Sequence, residues 1–114
     1  YPGLLLIRQE GRLYFANVQS VVDAMLPIIE AANPRVVVFD LQAVFDIEYS
    51  ALKRLVEADA NLRERGIALW FTAANPGVLE AIRLSELGPL LGRERLIFTL
   101  ADAVDRYRKS NVPS

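Results

Sequence analysis

A chain of 114 residues, 53% of them hydrophobic, has room for one domain around a single core and too much apolar content for disorder. Its 13 basic and 14 acidic side chains leave a net charge of −1. That balance, mixed along the sequence, writes in neither a basic field for nucleic acid nor a polybasic membrane tail. With no cysteine and no histidine, disulfides, thiolate chemistry, imidazole catalysis, Ser-His-Asp triads and Cys/His metal sites are excluded, and only carboxylates, Lys, Tyr and Ser remain as candidate catalysts.

In chain order, Leu4 to Arg8 is predicted as a strand, Gln9-Glu10-Gly11 as a turn and Arg12 to Phe15 as a second strand. Gly11 supplies the positive φ that a tight hairpin connection needs. Asn17 is the expected N-cap of a helix over about 18–32, with Val18, Val21, Val22, Met25 and Ile29 as its apolar stripe and Pro27 as a kink. Asn33-Pro34 ends it. The β-branched run from Arg35 to Asp40 reads as a strand covered on both faces, followed by a loop from Leu41 to Asp46.

A helix over about 49–65 is predicted from Leu52, Leu55, Val56 and Leu62, closed by Gly66, with Arg63 and Arg65 near its negative end. Ile67 to Thr72 is the next buried strand. Asn75 as N-cap and Pro76 at the first helical position open a third helix, lined by Val78, Leu79 and Ile82 and stopped at Gly88. Leu96-Ile97-Phe98 is an expected edge strand, and Thr99 to Asp102 has the spacing of a capping box for a last helix through about Lys109. Ser110 to Ser114 is expected to fray.

The order β-β-α-β-α-β-α-(β)-α predicts an α/β domain, 1–114 with an ordered core of about 3–109, built on a mixed sheet of four to five strands with right-handed crossovers. No apolar run approaches the roughly 20 residues that span a bilayer, and no charged segment precedes a cleavable apolar one, so no signal peptide is expected. The opening at Tyr1, with Met25 as the one methionine, is what an excised fragment or a processed N-terminus looks like.

Candidate chemistry collects after the third strand. Asp40, Asp46 and Glu48 place three carboxylates, and Ser50 a hydroxyl, at the carboxyl end of a buried strand and the start of a helix, the edge where open α/β sheets take ligands. Ser50 and Glu48 lie near a helix N-terminus, whose free N–H groups favour negative charge. Capping by Asp46, Glu48 or Ser50 is the commonest use of such residues. Phosphorylation or partner docking is the alternative, and magnesium on Asp40 and Asp46 is a third and unspecific one. No phosphate-binding glycine motif occurs, and acidic residues at the helix start oppose an anion unless Lys53 or Arg54 offsets them, so nucleotide binding is not readable here. Trp70, Phe71, Tyr14 and Phe15 read as core packing rather than as base-stacking platforms. Arg93-Glu94-Arg95 reads as a solvated charge run, and Leu4 to Leu6 could pair with another chain or a preceding segment if the first strand is an exposed edge.

Three segments resemble the STAS family, shared by anti-sigma-factor antagonists and the C-terminal part of SulP anion transporters. They are Pro2 to Arg8 with Gly11-Arg12-Leu13-Tyr14-Phe15-Ala16-Asn17, Val36 to Asp40 continued by Asp46 to Leu52, and Arg95 to Thr99 with Asp102-Ala103-Val104. The likeness runs from Pro2 to about Arg108. In the antagonist branch the loop reads Asp-Ser-Ser-Gly with its second serine phosphorylated. Ser50 matches that position, while Glu48, Tyr49 and Ala51 replace the Asp, the first Ser and the Gly, departures closer to the transporter branch. The resemblance implies a STAS fold and a non-catalytic regulatory domain on the cytoplasmic side of a secondary active sulfate or related anion transporter. Its implied partners are the transmembrane domain of the same chain and a regulatory protein or a neighbouring STAS domain. The implied docking loop is Asp46, Glu48, Tyr49, Ser50, Ala51 and Leu52, with Asp40 as a supporting carboxylate. No metal or cofactor is expected; nucleotide binding comes from the resemblance alone. Two alternatives stand beside it: a free-standing antagonist switched through Ser50, and a metal-dependent hydrolase using Asp40 and Asp46.

Overall fold

A computed structural model describes residues 2–110, the side chain of Phe15 excepted. Four parallel strands form the central sheet in the order β1 (Leu4–Arg8), β3 (Val36–Asp40), β5 (Ala68–Thr72) and β6 (Leu96–Ile97). A second, two-stranded ladder joins β2 (Gly11–Leu13) to β4 (Val44–Ile47), also in parallel. Five helices connect them: α1 (Phe15–Ala32), α2 (Tyr49–Glu64), α3 (Pro76–Leu84), α4 (Leu87–Leu91) and α5 (Leu100–Ser110).

Period-two alternation sorts the central strands onto two cores. Val37 and Phe39 of β3, with Leu69 and Phe71 of β5, face a large core built with α1, α2, α3 and α4; the Phe39 and Phe71 rings lie 5.7 Å apart. Val36, Val38 and Trp70 face the other way, onto Ile97 and onto Ala103 and Tyr107 of α5. Every residue of β3 is buried, as a β-branched run between two helical layers requires. Trp70 and Phe71 are core residues.

The expected hairpin does not form. Gly11 has the anticipated positive φ of +88°, yet β1 pairs with β3 and β2 with β4, so each pairing found is parallel where the hairpin would have mixed the directions. Leu5 and Ile7, alternate residues of β1 packed on the large core, gain more by lying against β3 than a short hairpin could return. The β4 strand, falling in the expected Leu41–Asp46 loop, is the corollary: β2 needs a partner, and Val44 and Ile47 are the buried ends that supply it.

Other boundaries move for local reasons. Tyr14, not Asn17, is the N-cap of α1; Asn17 sits one turn in, its Oδ1 accepting from Tyr14 N at 2.9 Å and its Nδ2 donating to Arg12 O at 2.7 Å. The helix begins three residues earlier than expected and runs through Pro27. Asn33 takes the left-handed C-cap at φ 46°, a conformation asparagine tolerates. Gly88 does not stop α3. The chain breaks at Ser85, whose Oγ donates to Ile82 O and accepts from Leu87 N, and Gly88 lies inside α4. Asn75 caps α3 through Val78 N at 2.8 Å, and Thr99 Oγ1 accepts from Asp102 N at 3.0 Å to open α5, both as expected. Ser110 is the last residue of α5, and the expected fraying over 111–114 lies outside the described residues.

Candidate functional site

Asp40, Thr72 and Arg8 end three neighbouring strands in register, which brings them into one row along the carboxyl edge of the sheet. Asp40 is wholly buried. Its Oδ2 accepts from Arg8 Nε at 2.9 Å and pairs with Nη2 at 2.8 Å, while Oδ1 accepts from Thr72 Oγ1 and Gln42 N, each at 3.2 Å. Four donors satisfy the carboxylate, so its place is to tie β1, β3 and β5 together where ligands of α/β sheets ordinarily sit. The Arg8 side chain stays 49% exposed.

The outer corner follows. Between Gly11 and Arg12 the β2–β4 register slips, so Arg12 faces Asp46 and Phe45 is the residue without an opposite partner. A bulge turns its residue outward and breaks alternation, which is why Phe45 and Asp46 are exposed in succession between buried Val44 and Ile47. Arg12 then spans the corner: Nε donates to Asp46 Oδ2 at 2.9 Å and Nη2 to Glu48 Oε2 at 3.1 Å, and its guanidinium carbon lies 5.3 Å from the Tyr14 ring centre. Exposed ion pairs stabilise weakly, by about 0–1 kcal/mol, but two carboxylates on one arginine set the local shape.

At the α2 start, Tyr49 is 63% exposed and Ser50 half-buried, whereas Ala51 and Leu52 point into the core. The expected docking residues therefore separate: Asp46, Glu48, Tyr49 and Ser50, joined by Phe45 at 68% exposure, form the accessible corner, and Ala51 with Leu52 anchors it from beneath. Capping is not their use at Glu48, the N-cap, whose side chain makes no cap bond and turns to Arg12 instead. Among the described residues no hydrogen bond engages the Ser50 hydroxyl. Arg54, expected as an offset for the acidic helix start, reaches away to Gln19 of α1 at 2.7 Å and to Glu57. Asp40, wholly buried, is held by Arg8, whereas Asp46, exposed, is held by Arg12.

Arg8, Arg12 and Phe45 were not singled out from the sequence. Strand-end register and a bulge brought them in, and neither leaves a signature in a local window. Arg95 corrects the reading of Arg93-Glu94-Arg95 as solvated: its side chain is four-fifths buried, donating to buried Asp59 at 2.7 Å and to Leu90 O at 2.6 Å, and Arg63 holds the other Asp59 oxygen at 3.0 Å. Tyr14 is half-buried under Arg12, partly in keeping with a packing role, while the Phe15 side chain lies outside the described ones.

Comparison with known proteins supplies a family frame. The family described as STAS domain matches residues 1–106. High affinity sulfate transporter 2 of Stylosanthes hamata is 28% identical over 93% of the chain and 18% of its own length. Sulfate transporter 1.3 of Arabidopsis thaliana is 29% identical over 91% of the chain and 17% of its own. The chain thus spans less than a fifth of these relatives. Among solved structures, the SulP transporter STAS domain of Vibrio cholerae superposes with a TM-score of 0.78 at 19% identity, covering 95% of the chain and 83% of that structure. The murine Slc26a9 anion transporter in its inward-facing state gives 0.86 at 16% identity over 97% of the chain and 18% of the transporter. The unphosphorylated anti-sigma factor antagonist SpoIIAA gives 0.76 at 17% identity over 100% and 94%.

Proposed function

The chain belongs to the STAS domain family, and from that footing we propose that it is the cytoplasmic regulatory and interaction domain of a SulP-type anion transporter, with no catalysis of its own. The observation that carries the reading is the one-sided coverage: nearly all of this chain matches less than a fifth of proteins named as sulfate transporters. No helix of the described residues is long and apolar enough to cross a membrane. Its work in that setting is contact, with the transmembrane part of its own chain and with a regulatory protein or neighbouring STAS domain.

The corner of Phe45, Asp46, Glu48, Tyr49 and Ser50 is the docking surface in this proposal. Two exposed aromatics beside a clamped Arg12 supply the anchor-and-rim composition that protein interfaces favour. In the full transporter, Glu48→Ala with Ser50→Ala is expected to lower both anion uptake and capture of the partner. Uptake and capture equal to those of the parent would remove the surface assignment while leaving the family untouched.

A second reading, a free-standing anti-sigma factor antagonist, draws on the full-length likeness to SpoIIAA and on the unengaged Ser50 hydroxyl in the first turn of α2. Incubation with an anti-sigma kinase and mass spectrometry separates the two: a phosphate on Ser50 supports the antagonist, an unmodified chain the transporter domain. The substitution of Asp-Ser-Ser-Gly chemistry by Glu48, Tyr49 and Ala51 favours the latter.

A further inference from the structure

Away from the corner, the carboxyl ends of β5 and β6 open into a groove of about 760 Å³. Leu79, Pro89, Leu96 and Phe98 make its apolar walls, and Arg83 and Arg93 are its charged residues. Among the described residues no carboxylate lines it. Glu94 stands at the rim beside Gly92, and in the shallower groove next to it Asp105 is paired with Lys109, with Asp102 in the first turn of α5.

Two independent features mark this groove as more than a gap between helices. The first is charge. Among the described residues, every other arginine has a partner in an ion pair, a hydrogen bond or another electrostatic or ring contact, and none is found for Arg83 or Arg93. In a chain with slightly more acid than base, two guanidinium groups left without partners on one concavity are an electrostatic vacancy of defined sign. The second is a rigid frame. Ala73, the one non-glycine besides Asn33 at positive φ among the described residues, turns the chain at the mouth, while its N–H still reaches Ile97 O at 3.2 Å. Gly88 lets α4 lie so close to α3 that a Cβ there would stand 2.9 Å from the Arg83 backbone. The groove is thus framed by backbone on both sides, at the sheet edge where α/β folds place a ligand.

We infer that this groove binds a small organic oxyanion, its phosphate, sulfonate or carboxylate head between Arg83 and Arg93 and its apolar body against Leu79, Leu96 and Phe98. Phe98, 86% exposed, becomes covered by that body, which accounts for an aromatic ring left in water at the end of β6. The binding makes and breaks no covalent bond. It is independent of the docking corner, which lies on β4 and α2.

Phenyl phosphate titrated into the 15N-labelled 114-residue chain tests this. Amide shifts are expected at Ala73, Gly88, Gly92 and Phe98, with a dissociation constant on the order of 1 mM, as suits an open site and a small ligand. Arg83→Gln with Arg93→Gln is expected to weaken binding by about tenfold or more. Arg65→Gln, which removes a comparable exposed arginine paired with Glu30, is expected to leave it unchanged. Shifts scattered over arginines in general, or retained in the Arg83/Arg93 double variant, would overturn the site. Inorganic phosphate binding as tightly as phenyl phosphate would overturn the apolar half of it.

Discussion

Asp40 has a large local consequence, because three strands converge on its carboxylate. Asp40→Asn keeps the shape and removes the charge that makes the Arg8 bonds strong. Arg8 is half-exposed and re-enters water when released, so no cation is stranded in the core. The loss should therefore sit below the 3–5 kcal/mol of a broken buried pair, at about 2 kcal/mol. For a domain of this size that is roughly 8 °C in Tm, measurable by thermal denaturation. Gly3 is constrained from further off. Its φ of +83° turns its carbonyl to accept from Arg35 N at 2.7 Å and Val36 N at 3.0 Å, and a Cβ would collide with Tyr107 Oη, which donates to Pro2 O. Gly3→Ala is expected to cost about 2 kcal/mol in urea denaturation, from left-handed strain plus that collision. The Pro-Gly opening that carried part of the family resemblance thus has a physical reason in a tyrosine 105 residues away.

Between elements, the α3–α4 junction depends on Gly88. Its Cβ would meet Arg83 Cα, Arg83 O and Ile82 O at 2.9 Å, all backbone atoms that a rotamer change cannot relieve. Gly88→Ala should destabilise by about 1–3 kcal/mol despite the better helix propensity of alanine, and equilibrium unfolding gives the sign. A gain in stability would show that the two helices separate readily. The Asp59 clamp works at the same level, fastening α2 to the segment that leads into β6 through Arg95. Asp59→Asn is expected to loosen that segment first, read as faster hydrogen exchange around Leu91 and Ile97 than at Val38. Uniform acceleration across the sheet would instead make Asp59 a global support.

On the scale of the whole molecule, one sheet serves two cores, a large one under α1 to α4 and a small one under α5. Val37 and Phe39 alternate with Val36 and Val38 on the same strand, so neither core can loosen without disturbing β3. Trp70, the sole tryptophan, lies on the α5 side and reports on the smaller core. Its fluorescence transition on heating should coincide with the far-ultraviolet circular dichroism of the helices. An earlier fluorescence transition would show α5 detaching from a sheet that remains folded. Both the proposed docking corner and the arginine-lined groove depend on this single scaffold, although they open on different parts of it.

The α/β class, the helices and the buried strands were legible in the linear sequence because periodicity is a local property: the apolar run of Val36 to Phe39 and the stripe from Val18 to Ile29 need only their neighbours to be read. Caps at Asn75 and Thr99 were legible for the same reason. The geometry of the candidate corner was half legible. The corner's residues were found by the strand-to-helix handover, but Arg12 and Phe45 entered it through a ladder and a bulge that pair positions more than thirty apart. Strand partnership and the burial of Arg95 were decided only in three dimensions, because pairing and desolvation are settled by which distant surfaces meet, and no window of neighbouring residues contains that information.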